Sequence, residues 1–194
     1  MKLTDTIYEQ LREEIFSAKY KPNELITERQ IADKYGTSKL TAGEVLQRLC
    51  SAGHLTSYPR SGYMVTVLTP LEIKQLTRIR RVTEGLAIEI ICAETSDDEI
   101  NGLLELINES PSNEQGIAAQ NRSFHMGLAY LTHDRFLISS LLEILGSLSR
   151  VEQNLSVLTV NTWQNEHKNI VNALISRDCE KAKAALLRDL DQLA

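Results

Sequence analysis

Cysteine is scarce and scattered: Cys50, Cys92 and Cys179 are the chain's whole complement, and no two of them form a C-x-x-C pair. That excludes a cysteine zinc site and gives no disulfide framework, so a reducing cytoplasm is the expected compartment. Long apolar runs are missing too. No stretch approaches the roughly 18 apolar residues needed to span a bilayer, and the opening MKLTDTIYEQ lacks the apolar core of a signal peptide. No membrane partner is expected. Aromatic residues make up 5% of the sequence, which suits a leucine-rich helical core better than a sandwich or barrel. Nor is there an excess of cations. The net charge of −5 argues against indiscriminate nucleic-acid binding, but it is uneven. Residues 1–68 hold 9 Lys and Arg against 8 Asp and Glu, and the remainder hold 12 against 18. A near-neutral segment still binds DNA if its cations share one face.

What is present divides at about Leu68. In TDTIYEQLREEIFSAKY, Ile7, Leu11 and Ile15 recur at four-residue spacing, predicting a helix with Thr4 or Asp5 as its cap. The run KPN at 21–23 breaks it. TERQIADKYG begins with a capping box, Thr27 with Gln30, and ends at Gly36. Ser38 caps a third helix that ends at Gly53. Two short β-prone runs, HLTSY and YMVTV, then flank the turn PRSG. Three helices followed by a hairpin is the order of a winged helix-turn-helix. From TPLEI onward, with Thr69 as cap and Pro70 at the first helical position, everything reads helical. Leu71, Ile73, Leu76, Ile79, Val82, Leu86, Ile88, Ile91 and Cys92 form a broad apolar face over 70–94. Further helices are predicted at 97–108, 115–132, 135–158, 161–176 and 178–193, with one clear polar break at 108–116. The expected fold is therefore mainly α. A winged helix-turn-helix domain (1–68) precedes an all-α antiparallel bundle (69–194).

The stretch ITERQIADKYGTSKLTAGEVLQRLCSAGHLTSYPRSGYMV resembles the winged helix of GntR-family transcription regulators. Their pattern is roughly L-x-E-x-x-L-A-x-x-L-G-V-S-R-x-P-V-R-E-A-L-x-R-L-x-x-x-G-L, followed after several residues by G-x-x-V. Glu28, Ile31, Ala32, Gly36, Ser38, Glu44, Leu46, Arg48, Leu49, Gly53, Leu55, Gly62 and Val65 match it. The resemblance implies double-stranded operator DNA as partner. Ser38 at a helix N-terminus offers backbone N–H groups to a phosphate. Lys39 stands where the family has arginine, Thr41 where it has proline or threonine, and Arg29 matches an arginine used on DNA by some members. Arg60 lies at the wing tip, within reach of a minor groove. Each is otherwise a solvated surface group. Arg48 reads as a partner of Glu44, its i,i+4 neighbour.

Gly43 departs from the pattern. It occupies the place of the family's second recognition arginine, a contact worth ~1–3 kcal/mol of discrimination. Lysine at 39 cannot form the rigid fork of arginine either. A different or looser operator, a closer approach of helix and DNA, or a head that has lost specific recognition all follow from such a replacement.

The second half resembles the FCD domain, the helical effector domain of the FadR subfamily. IRRVTEGLAIEIICAE is similar to R-x-x-x-E-x-x-A-x-x-x-A, with Arg80 and Glu84 at i,i+4, either as a simple ion pair or as a ligand contact. NRSFHMGL (121–128) resembles D-x-x-F-H-x-x-L, and EHKNIVNALISRDCEKAKAALLRDL resembles H-x-x-I-x-x-A followed by D-x-x-x-A and H-L. In many members an Asp and three His hold a divalent metal against a small carboxylate effector. Here the corresponding set is Asn121, His125, His167 and Asp189, so aspartate has become asparagine and the last histidine aspartate. Two imidazoles and one carboxylate still suit Zn²⁺, Ni²⁺, Mn²⁺ or Fe²⁺; the other reading of His125 and His167 is a hydrogen-bonded core pair. An organic acid would bridge the metal and a cation such as Arg80 or Arg150.

Together these imply a bacterial, cytoplasmic, ligand-responsive transcription regulator and not an enzyme. It would be a homodimer matching a palindromic operator, with effector binding in the bundle altering how the two heads are presented. Two alternatives stand beside it: a metal-dependent enzyme built on the bundle, and a degenerate regulator that has lost specific DNA or metal binding.

Overall fold

A computed structural model describes residues 2–21, 24–108, 114–152 and 160–191, apart from the side chains at 108, 114–115, 150–152 and 160–163. It divides into two compact units, Met1–Leu68 and Thr69–Ala194.

The first unit holds α1 (Leu3–Phe16), α2 (Glu28–Tyr35), α3 (Lys39–Ser51) and an antiparallel hairpin of β1 (Leu55–Tyr58) and β2 (Gly62–Val65). Ile7, Leu11, Ile15 and Phe16 of α1 meet Ile31, Ala32, Ala42, Val45, Leu46 and Leu49 in a core closed by Leu55, Tyr63 and Val65. The α1 cap differs from expectation. The helix starts one residue before Thr4, and the Lys2 carbonyl accepts the Asp5 and Thr6 N–H groups without a side-chain cap. Asp5 is thereby available to Arg48, whose Nη1 lies 2.9 Å from its Oδ1 and whose guanidinium covers the Tyr8 ring. Arg48 thus ties α3 to α1 rather than pairing with Glu44. The capping box at Thr27 and Gln30 forms as the sequence suggests, and Gly36 closes α2 in the left-handed conformation. Pro22 and Asn23 of the KPN break lie outside the described residues.

The hairpin turn has a defined chemistry. Ser61 N–H donates to the Tyr58 carbonyl at 3.0 Å across Pro59 and Arg60, and Arg60 takes φ +67°. Proline followed by a positive-φ residue is the signature of a type II turn. At the next step, a Cβ on Gly62 would lie 2.5 Å from the Ile26 carbonyl oxygen, because Ile26 pairs with Tyr63 as a short third rung.

The second unit is all helical among the described residues: α4 (Pro70–Glu94), α5 (Asp97–Gly102), α6 (Glu105–Asn108), α7 (Glu114–Leu131), α8 (Arg135–Glu152), α9 (Val160–Ile175) and α10 (Cys179–Asp191). The single helix expected over 97–108 is two. After Gly102, i→i+3 bonds from Leu103, Leu104, Leu106 and Ile107 replace the α ladder. Helix α4 packs against α7, α8, α9 and α10. Ile88 and Ile91 enter a core with Phe124, Leu128, Ile170, Leu174, Leu186 and Leu190; Ala87 enters a second with Met126, Ala129, Leu141 and Leu145. The apolar face expected along α4 is split in two. Leu71, Ile79, Val82 and Leu86 are exposed, while the buried stripe carries Thr77, Arg80 and Glu84 before it turns apolar. No described helix is long and apolar enough to cross a membrane.

Candidate DNA-reading head and buried histidine cluster

In the first unit, α3 buries Ala42, Val45, Leu46 and Leu49 and turns its other side outward. Ser38 is its N-cap. The Ser38 hydroxyl accepts the Thr41 N–H at 3.1 Å and lies 2.9 Å from the Thr41 hydroxyl. Both hydroxyls are therefore engaged in the cap, and the remaining first-turn N–H groups supply the helix's anion-attracting end. Arg29, Lys39 and Arg60 come from α2, α3 and the wing, yet they line one cleft of about 360 Å³ together with Thr27, Ser57 and Ser61. Arg29 makes only a loose exposed pair with Asp33, 3.7 Å apart, which holds its side chain weakly.

Gly43 lies against Glu28. A Cβ there would sit 3.0 Å from Glu28 Oε1 and 3.3 Å from Cδ. The same Glu28 carboxylate accepts from the Tyr63 hydroxyl at 3.4 Å, and Gln47 Nε2 reaches that hydroxyl at 3.4 Å. Glycine at 43 thus makes room for a carboxylate laid across the outer face of α3, linking α2, α3 and β2.

The second unit holds a buried ionic cluster. Residues 121 and 125 are one turn apart on α7, and both are buried. His167 on α9 is buried, and Asp189 on α10 is 2% exposed rather than a surface acid. His125, His167 and Asp189, which the resemblance groups together, present ligand atoms all within 4.8 Å of one another. Asp189 sits between the imidazoles, Oδ2 3.1 Å from His125 Nε2 and Oδ1 3.5 Å from His167 Nε2. The 3.1 Å approach is not aligned as a hydrogen bond. Three ligand atoms gathered this closely, deep in the protein, suit a shared cation. His125 Nδ1 lies 2.6 Å from Glu84 Oε2, and Arg80 Nε donates to Glu84 Oε1 at 2.5 Å. This carboxylate fixes the His125 ring and assigns the Nδ1 proton, leaving Nε2 to face the cluster, as outer-shell carboxylates do in metal sites. His167 stacks on Phe124, ring centroids 3.8 Å apart.

The electrostatics follow from this order. Burial pushes the Glu84 carboxyl up, but Arg80 and His125 outweigh it and hold it at about 2. Burial pushes His125 down, and the Glu84 carboxylate more than reverses that, so its pKa is raised. For His167 burial dominates and the neighbouring His125 charge adds to it, holding the ring neutral. Burial raises Asp189, and the histidines overcome it to keep the group ionised. One guanidinium against two carboxylates leaves the set anionic unless His125 is protonated. A divalent cation satisfies the same requirement, since buried charges persist only when paired or coordinated.

Of the sequence-derived residues, the structure joins Arg29, Lys39 and Arg60 in one cleft and His125, His167 and Asp189 in one cluster. The Arg80–Glu84 ion pair forms and is buried. Arg150 lies on α8, but its side chain is outside the described residues. The sequence carries no signal for the contact between Glu84 and His125: 41 residues separate them, and no spacing rule reports on such a pair.

Residues 3–65 match the family model of the bacterial regulatory proteins of the gntR family, and residues 75–192 match that of the FCD domain. An uncharacterized HTH-type transcriptional regulator of Bacillus subtilis (strain 168), YdhC, is 29% identical over 189 residues, covering 93% of this chain and 84% of that protein. The Nta operon transcriptional regulator of Aminobacter aminovorans is 23% identical, covering 89% and 84%. Among solved structures, McbR/YncC of E. coli shares the fold at a TM-score of 0.85 and 18% identity, over 99% of this chain and 95% of that one. The Bacillus and Aminobacter relatives are named as transcriptional regulators, and the chain belongs to the GntR family of bacterial regulatory proteins, a transcription regulator with an N-terminal helix-turn-helix and a C-terminal FCD domain.

Proposed function

We propose that this regulator belongs to the FadR subfamily, works in the cytoplasm as a homodimer on a palindromic operator, and senses a small organic acid through a divalent metal in its helical unit. The metal would be held by His125, His167 and Asp189, with the Asn121 amide as a weaker fourth donor. Zn²⁺, Ni²⁺ and Mn²⁺ all suit two imidazoles and a carboxylate. When bound, the ion would supply a Lewis-acidic centre for the effector's carboxylate. Arg80, anchored by Glu84, provides the fixed positive charge beside it, and Arg150 is the second candidate cation. The observation that carries this reading is the 3.1 Å approach of His125 Nε2 and Asp189 Oδ2 without hydrogen-bond alignment, in a site where Glu84 already holds the other ring nitrogen.

On the DNA side, Arg29, Lys39 and Arg60 would straddle the phosphate backbone from one cleft, and the Ser38–Thr41 turn would present its N–H groups to a phosphate. The exposed stripe of Leu71, Ile79, Val82 and Leu86 on α4 is the surface through which a second copy would pack. A charge at its centre, Val82→Glu, should convert a dimer to a monomer in sedimentation.

The test uses an operator selected by the full-length protein from random duplexes. Its affinity is measured with Zn²⁺ or Mn²⁺ and a panel of small carboxylic acids. One acid should change operator affinity several-fold, and His125→Ala with His167→Ala should abolish that response. A double variant that responds as the wild type does would defeat the proposed sensor.

A further inference from the structure

The most exposed large apolar side chain among the described residues is Leu40, 85% accessible, in the first turn of α3. It stands about half a turn around the helix from the face formed by Ala42, Val45, Leu46 and Leu49, so nothing in the core requires an apolar residue there. Leu40, Gly43, Glu44 and Gln47 share this outer face and line an open hollow of about 660 Å³ with Lys39 and Glu28. Gly43, three residues after Leu40, contributes no side chain, and the Glu28 carboxylate occupies the room it leaves, so Leu40 is the apolar side chain lining this hollow. Lys39 places a positive charge beside it, lining the same hollow. Leu40 itself has no polar atom and can engage neither phosphate nor the hydrogen-bonding edge of a base.

We propose that Leu40 is a specificity-determining residue that packs on the 5-methyl group of a thymine in each operator half-site. The thymine methyl is the apolar group that the floor of the major groove presents, and apolar side chains read it by contact. The position normally given to arginine chemistry on this helix is occupied by Gly43, and apolar contact at Leu40 takes over part of the discrimination. This assignment rests on the DNA-reading role of α3 stated above.

The full-length protein first selects its operator from a random pool of duplexes. Each thymine of that operator is then replaced by deoxyuridine, which removes only the methyl group, and wild type and Leu40→Ala are titrated against the set. One symmetry-related thymine should lose about fourfold in affinity per half-site on demethylation, the value of one buried methyl-sized group. Leu40→Ala should bind the thymine and uracil operators equally, with its thermal midpoint unchanged because the side chain is exposed. Indifference of the wild type to every thymine methyl, as a merely solvated leucine would give, overturns the assignment. So does a Leu40→Ala protein that still senses the methyl. Absence of any enriched palindrome overturns the sequence-specific reading function itself, and Leu40's role falls with it.

Discussion

Arg80→Met is the perturbation that probes the buried cluster most sharply. Arg80 and Glu84 are at most 1% exposed, so solvent screens their attraction very little. The Glu84 carboxyl is held at about 2 instead of 4.5, a difference worth roughly 3 kcal/mol between its two protonation states. Methionine keeps much of the arginine stem's volume but leaves Glu84 facing only His125. Breaking a buried pair from one side costs about 3–5 kcal/mol, because the remaining charge is uncompensated. The expected loss for the helical unit is therefore about 3 kcal/mol. With a urea m-value of about 2 kcal/mol/M, its unfolding midpoint should fall by about 1.5 M. Loss of far-UV circular dichroism in chelator-treated full-length protein reports this transition, the second unit being all helical among the described residues. Adding Glu84→Gln removes the stranded charge while keeping an acceptor for His125 Nδ1, so the double variant should recover more than half of the loss. A drop below about 1 kcal/mol for Arg80→Met, or a double variant as unstable as the sum of the singles, would refute the electrostatic account.

Gly43→Ala should raise the thermal midpoint of the N-terminal unit, by the equivalent of about 0.5–1 kcal/mol. The new Cβ meets only the movable end of exposed Glu28; a lower midpoint would show that this carboxylate cannot yield. Gly62→Ala should do the opposite, since its Cβ would collide with the Ile26 backbone oxygen and part the Ile26–Tyr63 rung. Hydrogen exchange at the Ile26 and Tyr63 amides should accelerate, and unchanged protection would contradict the close approach. Burial pushes Glu14 up, but hydrogen bonds from Lys34 at 2.5 Å and Tyr35 at 3.0 Å bring its pKa below the ordinary value. A depressed carboxyl stabilises the fold above its unfolded pKa, and that contribution disappears as pH falls through its folded one. Stability of the N-terminal unit should therefore decline on acidification below about pH 4.5, and Glu14→Gln should flatten the decline; an equally steep fall in the variant would exclude this linkage.

The parts of the molecule governed by local chemistry were legible in the sequence. Thr27 with Gln30, Thr69 with Pro70, and the hairpin turn, which has Pro59 and Arg60 at its centre and so starts one residue before PRSG, mark element ends because caps and turns use residues within a few positions of each other. The i,i+4 pair of Arg80 and Glu84 was visible for the same reason. What escaped depends on tertiary packing. Arg48 has an acid four residues earlier, yet it turns to Asp5, 43 residues away, because the unexpected start of α1 brings that carboxylate to it. The apolar residues of α4 looked like one face, but Leu71, Ile79, Val82 and Leu86 face outward while Arg80 and Glu84 are buried. Periodicity counts apolar residues and does not see a polar cluster that makes its own partners inside. The Gly43 question likewise had no local answer, since Glu28 reaches it from another helix.

The central claim is that the His125, His167 and Asp189 cluster is a divalent-metal site. Native mass spectrometry combined with elemental analysis of the full-length protein, after exposure to Zn²⁺ or Mn²⁺ and removal of excess ion, tests it directly. The account predicts one tightly held divalent ion per chain in the wild type, lost when His125 and His167 are both replaced by alanine. A metal-free wild type, or equal metal content in the double variant, would contradict it.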